Sequence, residues 1–184
     1  MLMADPDIKE NLDIFDKISI FLYRIGMVVT GLALFSLALQ QVFYPSWFKH
    51  VLTFVALGAL LQASSLHIYN KMVRWFLVNA TWFGVWLLSM SFAGSSLWLA
   101  YLSLGAFILT FSGLAYKESF CFSLTVLKVI PFLLSLSWLL IVFSLNTWAV
   151  GGLLLSSFLY LYMAWRKINM PLYFDLGDRS RYEI

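Results

Sequence analysis

Residues 97–118 read LWLAYLSLGAFILTFSGLAYKE: an uncharged run ending at Tyr116, closed by the pair Lys117-Glu118. At 1.5 Å per residue a helix over this run is about 30 Å long, the thickness of a bilayer's hydrocarbon core. Hydrocarbon offers no partners to backbone amides, so the run must be helical; it is also too long and too unalternating for a barrel strand of about ten residues. Five further runs share its character: Ile18 to Val42, Val51 to Tyr69, Trp75 to Phe92, Val129 to Ser144 and Trp148 to Trp165. The sequence therefore predicts an all-α, polytopic membrane bundle of six transmembrane helices over residues 18–165. A cytoplasmic N-terminal segment, 1–17, precedes it and a cytoplasmic tail, 166–184, follows.

Composition agrees. Of 184 residues, 62% are apolar and 11% charged, against roughly 45 to 50% and about 25% in soluble domains. There is too little polar surface to coat a water-soluble core. The single cysteine, Cys121, excludes an intrachain disulfide and a cysteine zinc site. The net charge of +3 comes from bases spread over the connections rather than gathered on one face, so no nucleic acid partner is expected.

Those bases fix the threading. Six spans put both termini on one side, together with Lys9, Lys17, Arg24, Lys71, Arg74, Lys117, Lys128, Arg166, Lys167, Arg179 and Arg181, and leave only Lys49 on the other. The positive-inside rule assigns the crowded side to the cytoplasm. Tyr44, Trp47, Trp98 and Trp148 fall at the outer boundary and Tyr69, Trp75, Tyr116, Trp165 and Tyr173 at the inner one, as interfacial aromatics should. Trp82 and Trp86 fit neither belt and should lie deeper.

The acidic start, with Asp5, Asp7, Glu10, Asp13 and Asp16, does not suit a cleavable signal peptide. Asp5 and Pro6 could begin an interfacial helix carrying Ile8, Leu12 and Phe15, or the segment could simply extend the first span. The fifth run is the shortest. Its helix starts either with Pro131 in the first turn or earlier, near Ser123, with Pro131 as a kink.

Apolar burial does not drive helices together in lipid, so small residues mark close contacts. Ala100, Ser103, Ala106, Thr110 and Gly113 form a stripe on the fourth span; Ala56, Ala59, Ala63 and His67 form one on the second; Gly26, Thr30 and Ala33 one on the first. All three are expected to face the bundle interior, with Ala63, Ala106, Thr110 and Gly113 as helix-packing residues. Arg24 should snorkel to the inner headgroups. Asn79, sharing a face with Phe83 and Trp86, could bond across to the second span.

His67 is the most versatile intramembrane side chain. An imidazole there could ligate a pigment or haem, move a proton, or bond to a neighbouring helix. A bis-histidine haem within one chain is excluded, because His50 lies about 25 Å away on the same helix. On the cytoplasmic surface Lys71, Arg74, Lys117 and Glu118 are candidates for partner docking, with Glu118 tying the second and fourth inner connections together.

The runs LAYKESFCF at 114–122 and QASSLHIY at 62–69 resemble an uncharacterised integral membrane family of cyanobacteria and plant plastids, with a Lys-Glu-x-Phe-Cys-Phe motif, and the likeness extends over most of the chain. The resemblance implies a photosynthetic source and a thylakoid or plasma membrane location, where a pigment or an assembly partner becomes natural. Cys121 belongs to that motif. It implies no activity.

An enzyme needs convergent groups, and neither a nucleophile with its base nor a metal motif is apparent. An ion-coupled transporter usually shows intramembrane acids or broken helices. The expectation is a noncatalytic protein, without a required cofactor, that sits in the lipid bilayer and binds or helps assemble another membrane protein. A passive carrier or channel for a small neutral or lipidic solute is the alternative.

Overall fold

The computed structural model describes residues 12–66, 68, 70–94, 96–121 and 125–176, without the side chains of Cys121, Thr125 and Leu176. Asp13 starts the first helix, α1 (Ile14–Phe43): its carboxylate accepts from Ile14 N at 2.8 Å while Asp16 accepts from Asp13 N at 2.9 Å, a capping box that satisfies donors the helix itself cannot. The interfacial helix considered around Asp5 and Pro6 lies outside the described residues. After a 3-10 turn, Pro45–Trp47, come α2 (Phe48–Ala63), α3 (Lys71–Ala93), α4 (Leu97–Cys121), α5 (Ile130–Val142), α6 (Asn146–Ile168) and the short α7 (Tyr173–Leu176).

Among the described residues the chain is all-α, and four helices are long and apolar enough to cross a membrane: α1, α3, α4 and α6. The other two predicted spans are shorter. α2 stops at Ala63, near the Ser64-Ser65 pair whose hydroxyls turn back on the chain, and its 16 residues make about 24 Å. α5 has Pro131 in its first turn after a 3-10 segment, Thr125–Val129, which settles the proline's place at a helix start rather than at a kink. The α5 C-terminus closes by Leu145 N donating to Leu140 O and Ser144 N to Ile141 O, with Ser144 at a φ of 62° in the left-handed region.

Consecutive helices pack side by side, and α6 returns to α1, closing a ring in which α2 also touches α4. The contact of α1 with α2 is tight. A Cβ on Gly58 would stand 3.1 Å from the Thr30 backbone, and one on Gly26 3.0 Å from Gln62 N. That proximity lets Gln62 Nε2 reach Thr30 Oγ1 at 2.5 Å and Gly26 O at 3.3 Å. Across the ring, Ser157 Oγ donates to Gly31 O and Tyr160 OH to Phe111 O, over a core of Met27, Leu34, Leu52, Leu104 and Phe107.

Of the small-residue stripes on the first two spans, Gly26, Thr30, Ala33, Ala56, Ala59 and Ala63 are buried, while His67 lies outside the described residues. The stripe of α4 serves a different contact. It packs against α3, with Thr110 Oγ1 3.0 Å from Thr81 Oγ1, Ser103 Oγ donating to Gly84 O at 2.8 Å, Ala106 against Gly84 and Gly113 against Leu77. Ala106 and Gly113 are consequently half-buried rather than interior. Ala63 is buried at the end of α2.

Candidate functional site

Two places in this bundle combine polar chemistry with a special environment: a charge cluster where the first half of α1 meets the ends of α4 and α6, and the lipid-facing flank formed by α3, α4 and α5.

The buried face of α1 runs Ile20, Tyr23, Met27, Thr30, Leu34, and Arg24 lies beside Tyr23 on that same face. Arg24 therefore points inward and does not snorkel. Its Nε donates to Asp175 Oδ2 at 2.7 Å, Nη1 to Ile168 O at 3.3 Å, and Nη2 to Met170 O at 3.0 Å and Pro171 O at 3.3 Å. Lys167, in the last turn of α6, stands 2.7 Å from Asp175 Oδ1 and donates to Glu118 Oε2 at 2.8 Å. The second Glu118 oxygen accepts from Tyr23 OH at 2.9 Å and lies 3.4 Å from Lys117 Nζ.

The side chains of Arg24, Lys167, Glu118 and Asp175 are at most 9% exposed. Burying an ion unpaired costs several kcal/mol, so such a cluster persists only if charge balances and each oxygen has a partner. Here two cations face two anions. Arg24 and Lys167 also sit at the carboxyl end of α6, where the helix dipole favours positive charge. Glu118 lies at the carboxyl end of α4, where that dipole opposes it, and Lys167, Lys117 and Tyr23 together supply the compensation.

Glu118 was expected in an exposed connection, tying the second and fourth inner turns. Because α4 continues to Cys121, Glu118 is helical and interior, and its partners come from α1 and α6 instead. Lys117 is half-buried with its ammonium 5.1 Å from the centre of the Tyr23 ring. Lys71 is exposed at the start of α3, and Arg74 Nη1 donates to Ile68 O at 3.2 Å. The structure thus places two of the four docking candidates near the end of α4, Glu118 buried and Lys117 half-buried, and two in the first turn of α3, Lys71 exposed and Arg74 half-buried. His67 lies outside the described residues, and α2 ends before it.

Sequence reasoning missed Tyr23, Lys167 and Asp175. Lys167 was counted only as a topology signal, and Asp175 as part of a tail. The spacing of Ile20, Tyr23 and Met27 was the available clue, since it places Arg24 on the core side and so demands a buried acid.

On the flank, α3 presents Trp75, Trp82 and Trp86 outward, Trp82 and Trp86 being 60% and 54% exposed. Both occupy the middle of α3, in agreement with their expected depth. Beside them a groove of about 980 Å³ runs between α3 and α5 over a floor of α4. Asn79 opens onto this groove and its Nδ2 donates to Trp75 O within its own helix, not across to α2. Among the described residues, no three histidine, cysteine or acidic side chains converge as a metal site would need.

Residues 61–184, which include the whole flank and every acid and base of the cluster except Arg24, match the sequence profile described as "Uncharacterized integral membrane protein (DUF2301)". The chain belongs to this family. Over nearly its full length the DUF2301 chain is also similar to an "Uncharacterized protein" of Haemophilus influenzae, 34% identical over 190 residues, covering 99% of this chain and 100% of that protein. The integral membrane character is thereby established. The relative is bacterial and not from a cyanobacterium or plastid, so the photosynthetic source and thylakoid setting implied by the resemblance find no support in it. No solved structure matches.

Proposed function

We propose that this DUF2301 protein is a noncatalytic subunit that docks another integral membrane protein against the outward face of α3. Trp82 and Trp86 carry the reading. Tryptophan prefers the headgroup boundary, yet these two project from the middle of a helix long enough to span, and among the described residues neither indole N–H has an acceptor. An unmatched N–H facing hydrocarbon is unfavourable. A neighbouring transmembrane helix would supply acceptors and cover the rings, and tryptophans in the middle of an interface are the residues that most often dominate its energy.

In this reading the chain crosses the membrane six times with both ends in the cytoplasm. Support comes from Arg24 of α1 bonding to Ile168 O of α6, which joins the start and finish of the bundle at one end, and from Lys49, which donates to Ser91 O at the other. α2 and α5 are short for a crossing of about 30 Å, a mismatch that local thinning of the bilayer accommodates.

The test is photocrosslinking in native membranes, with a photoreactive side chain placed at 82 or 86 on α3, or at 155 or 158 on the exposed face of α6. The proposal expects one and the same membrane protein to be captured from both α3 positions and from neither α6 position. Lipid adducts alone at all four positions would overturn it. The alternative, a passive carrier of a neutral or lipidic solute, draws on the groove; it expects flux of such a solute into reconstituted vesicles.

A further inference from the structure

The groove between α3 and α5 has a chemistry of its own: it borders the tryptophan face and shares Trp75 with it, but Trp82 and Trp86 are not among its lining residues. Its walls are apolar apart from Asn79 on α3, Ser112 on α4, Ser135 on α5 and the indole N–H groups of Trp75 and Trp138, the latter donating to Tyr101 O at 2.8 Å, and no acid or base lines it. Asn79 and Ser112 sit close to one level, since Leu77 and Thr81, on either side of Asn79, meet Gly113 and Thr110, on either side of Ser112. Trp138 packs against Gly105 and donates to Tyr101 O, which sets Ser135 along the same groove about one to two helical turns from that level.

Their hydrogen-bonding capacity is incompletely used. Asn79 has one amide N–H engaged with its own helix and its carbonyl oxygen open. Ser135 is exposed. The hydroxyl oxygen of Ser112, behind them in the floor, is buried with no partner. Three polar groups from three helices converging in a lipid-facing cleft are unfavourable unless something polar meets them there. The pattern of a mostly apolar cavity with a few convergent polar groups is that of a small-molecule site, and about 980 Å³ falls in the range of such sites.

We infer that the α3–α5 groove binds a lipid-soluble molecule with a neutral hydroxyl or carbonyl head and an apolar tail, the head lying between Asn79 and Ser135. Neutrality follows from the uncharged walls, since an ionised head would be left without a counter-charge in hydrocarbon. Asn79 supplies a donor and an acceptor to the head and Ser135 a second of either kind. The tail lies along Phe83 and Leu102.

The experiment uses the full chain in nanodiscs of saturated phosphatidylcholine, with tritiated hexadecanol, hexadecane and palmitate as probes. Hexadecanol is expected to bind saturably at one per protein and about tenfold more tightly than hexadecane, the effect of one or two net hydrogen bonds, with palmitate no better than hexadecane. Asn79→Leu and Ser135→Ala should each remove about half of that preference on a logarithmic scale. Leu109→Trp, placing bulk at an exposed groove position, should abolish saturable binding. All three sites are exposed, so the variants should elute as folded protein, and each is read only after that check. Equal retention of hexadecanol and hexadecane, or hexadecanol binding untouched by all three substitutions, would overturn the inference and leave the groove as ordinary lipid annulus. Crosslinking at 82 and 86 reads the partner separately, so either idea can fail alone.

Discussion

Replacing Lys167 by Met removes the cation shared by Glu118 and Asp175 and leaves the two buried carboxylates to Arg24 and the half-buried Lys117. Replacing Glu118 by Gln does the opposite, leaving Arg24 and Lys167 against a single acid. Breaking a buried pair from one side costs about 3 to 5 kcal/mol, because the surviving charge is stranded. Lys167→Met should lie near the lower figure, since Lys117 already stands 3.4 Å from Glu118 and takes over part of the compensation. Glu118→Gln should lie near the upper one, because it also deprives Tyr23 OH of a charged acceptor.

The double variant, Glu118→Gln with Lys167→Met, restores balance with the Arg24–Asp175 pair intact at 2.7 Å. It should therefore be about as stable as the Glu118→Gln variant rather than losing the sum of the two, with a coupling of about 3 kcal/mol between the sites, the upper end of the range for residues in one network. For a chain of this size 1 kcal/mol is about 2 to 4 °C in midpoint, so the single variants should lose roughly 10 °C and the double no more than the Glu118→Gln variant. The assay is the loss of monodisperse protein with temperature in mild detergent, at one scan rate because such unfolding is seldom reversible. Single variants within about 2 °C of the parent, or a double whose loss is the sum of the two, would refute the idea that these charges are buried and balanced against each other.

Asp175→Asn should release the α7 segment and make residues 169–176 accessible to limited proteolysis while the helices stay resistant. Gly58→Leu, which drives a side chain into the Thr30 backbone, should cost about 1 to 3 kcal/mol and broaden the gel-filtration peak. Ser144→Gly should raise the midpoint by a few degrees, because Ser144 adopts the left-handed conformation that glycine enters without steric cost.

The helices were legible in the sequence because lipid simplifies the code. An uncharged run near twenty residues has one stable option, and Pro131 offered a helix start or a kink, of which the start is found; the Asp13 box, which begins α1 ahead of Ile18, went unread although its mechanism is local to a few residues. The second span was read too long. Hydropathy alone continues through Leu66, but Ser64 and Ser65 bond to the nearby chain and Asn70 caps the next helix through Val73 N, so the helix yields to a turn that a hydropathy window does not register. The stripes reported close packing correctly and the neighbour ambiguously. A run of small residues says that some helix comes near, and Gly84 and Leu77 of α3 answered where the common interior was expected.

The charge cluster was hidden for a different reason. The bonds of Tyr23 and Lys167 to Glu118 and of Arg24 to Asp175 span 49 to 151 positions of sequence, and each partner alone has an ordinary explanation at a membrane boundary: Arg24 snorkelling, Lys167 as a topology signal, Glu118 in a solvated turn. What separates the two readings is helix phase. Residues at the same depth can face headgroups or core, and the phase of α1 is set by Ile20, Tyr23 and Met27, which bring Arg24 to the core side. The same argument applies in reverse to α3, where Leu77, Thr81, Gly84 and Leu88 fix the buried side and so turn Trp75, Trp82 and Trp86 outward. A charged side chain on the inner phase implies a partner within the chain, and the cluster supplies it. In the proposed function an aromatic polar side chain on the outer phase at mid-depth meets a partner beyond the chain, and that asymmetry directs the search for function to the flank of α3 and away from the charge cluster.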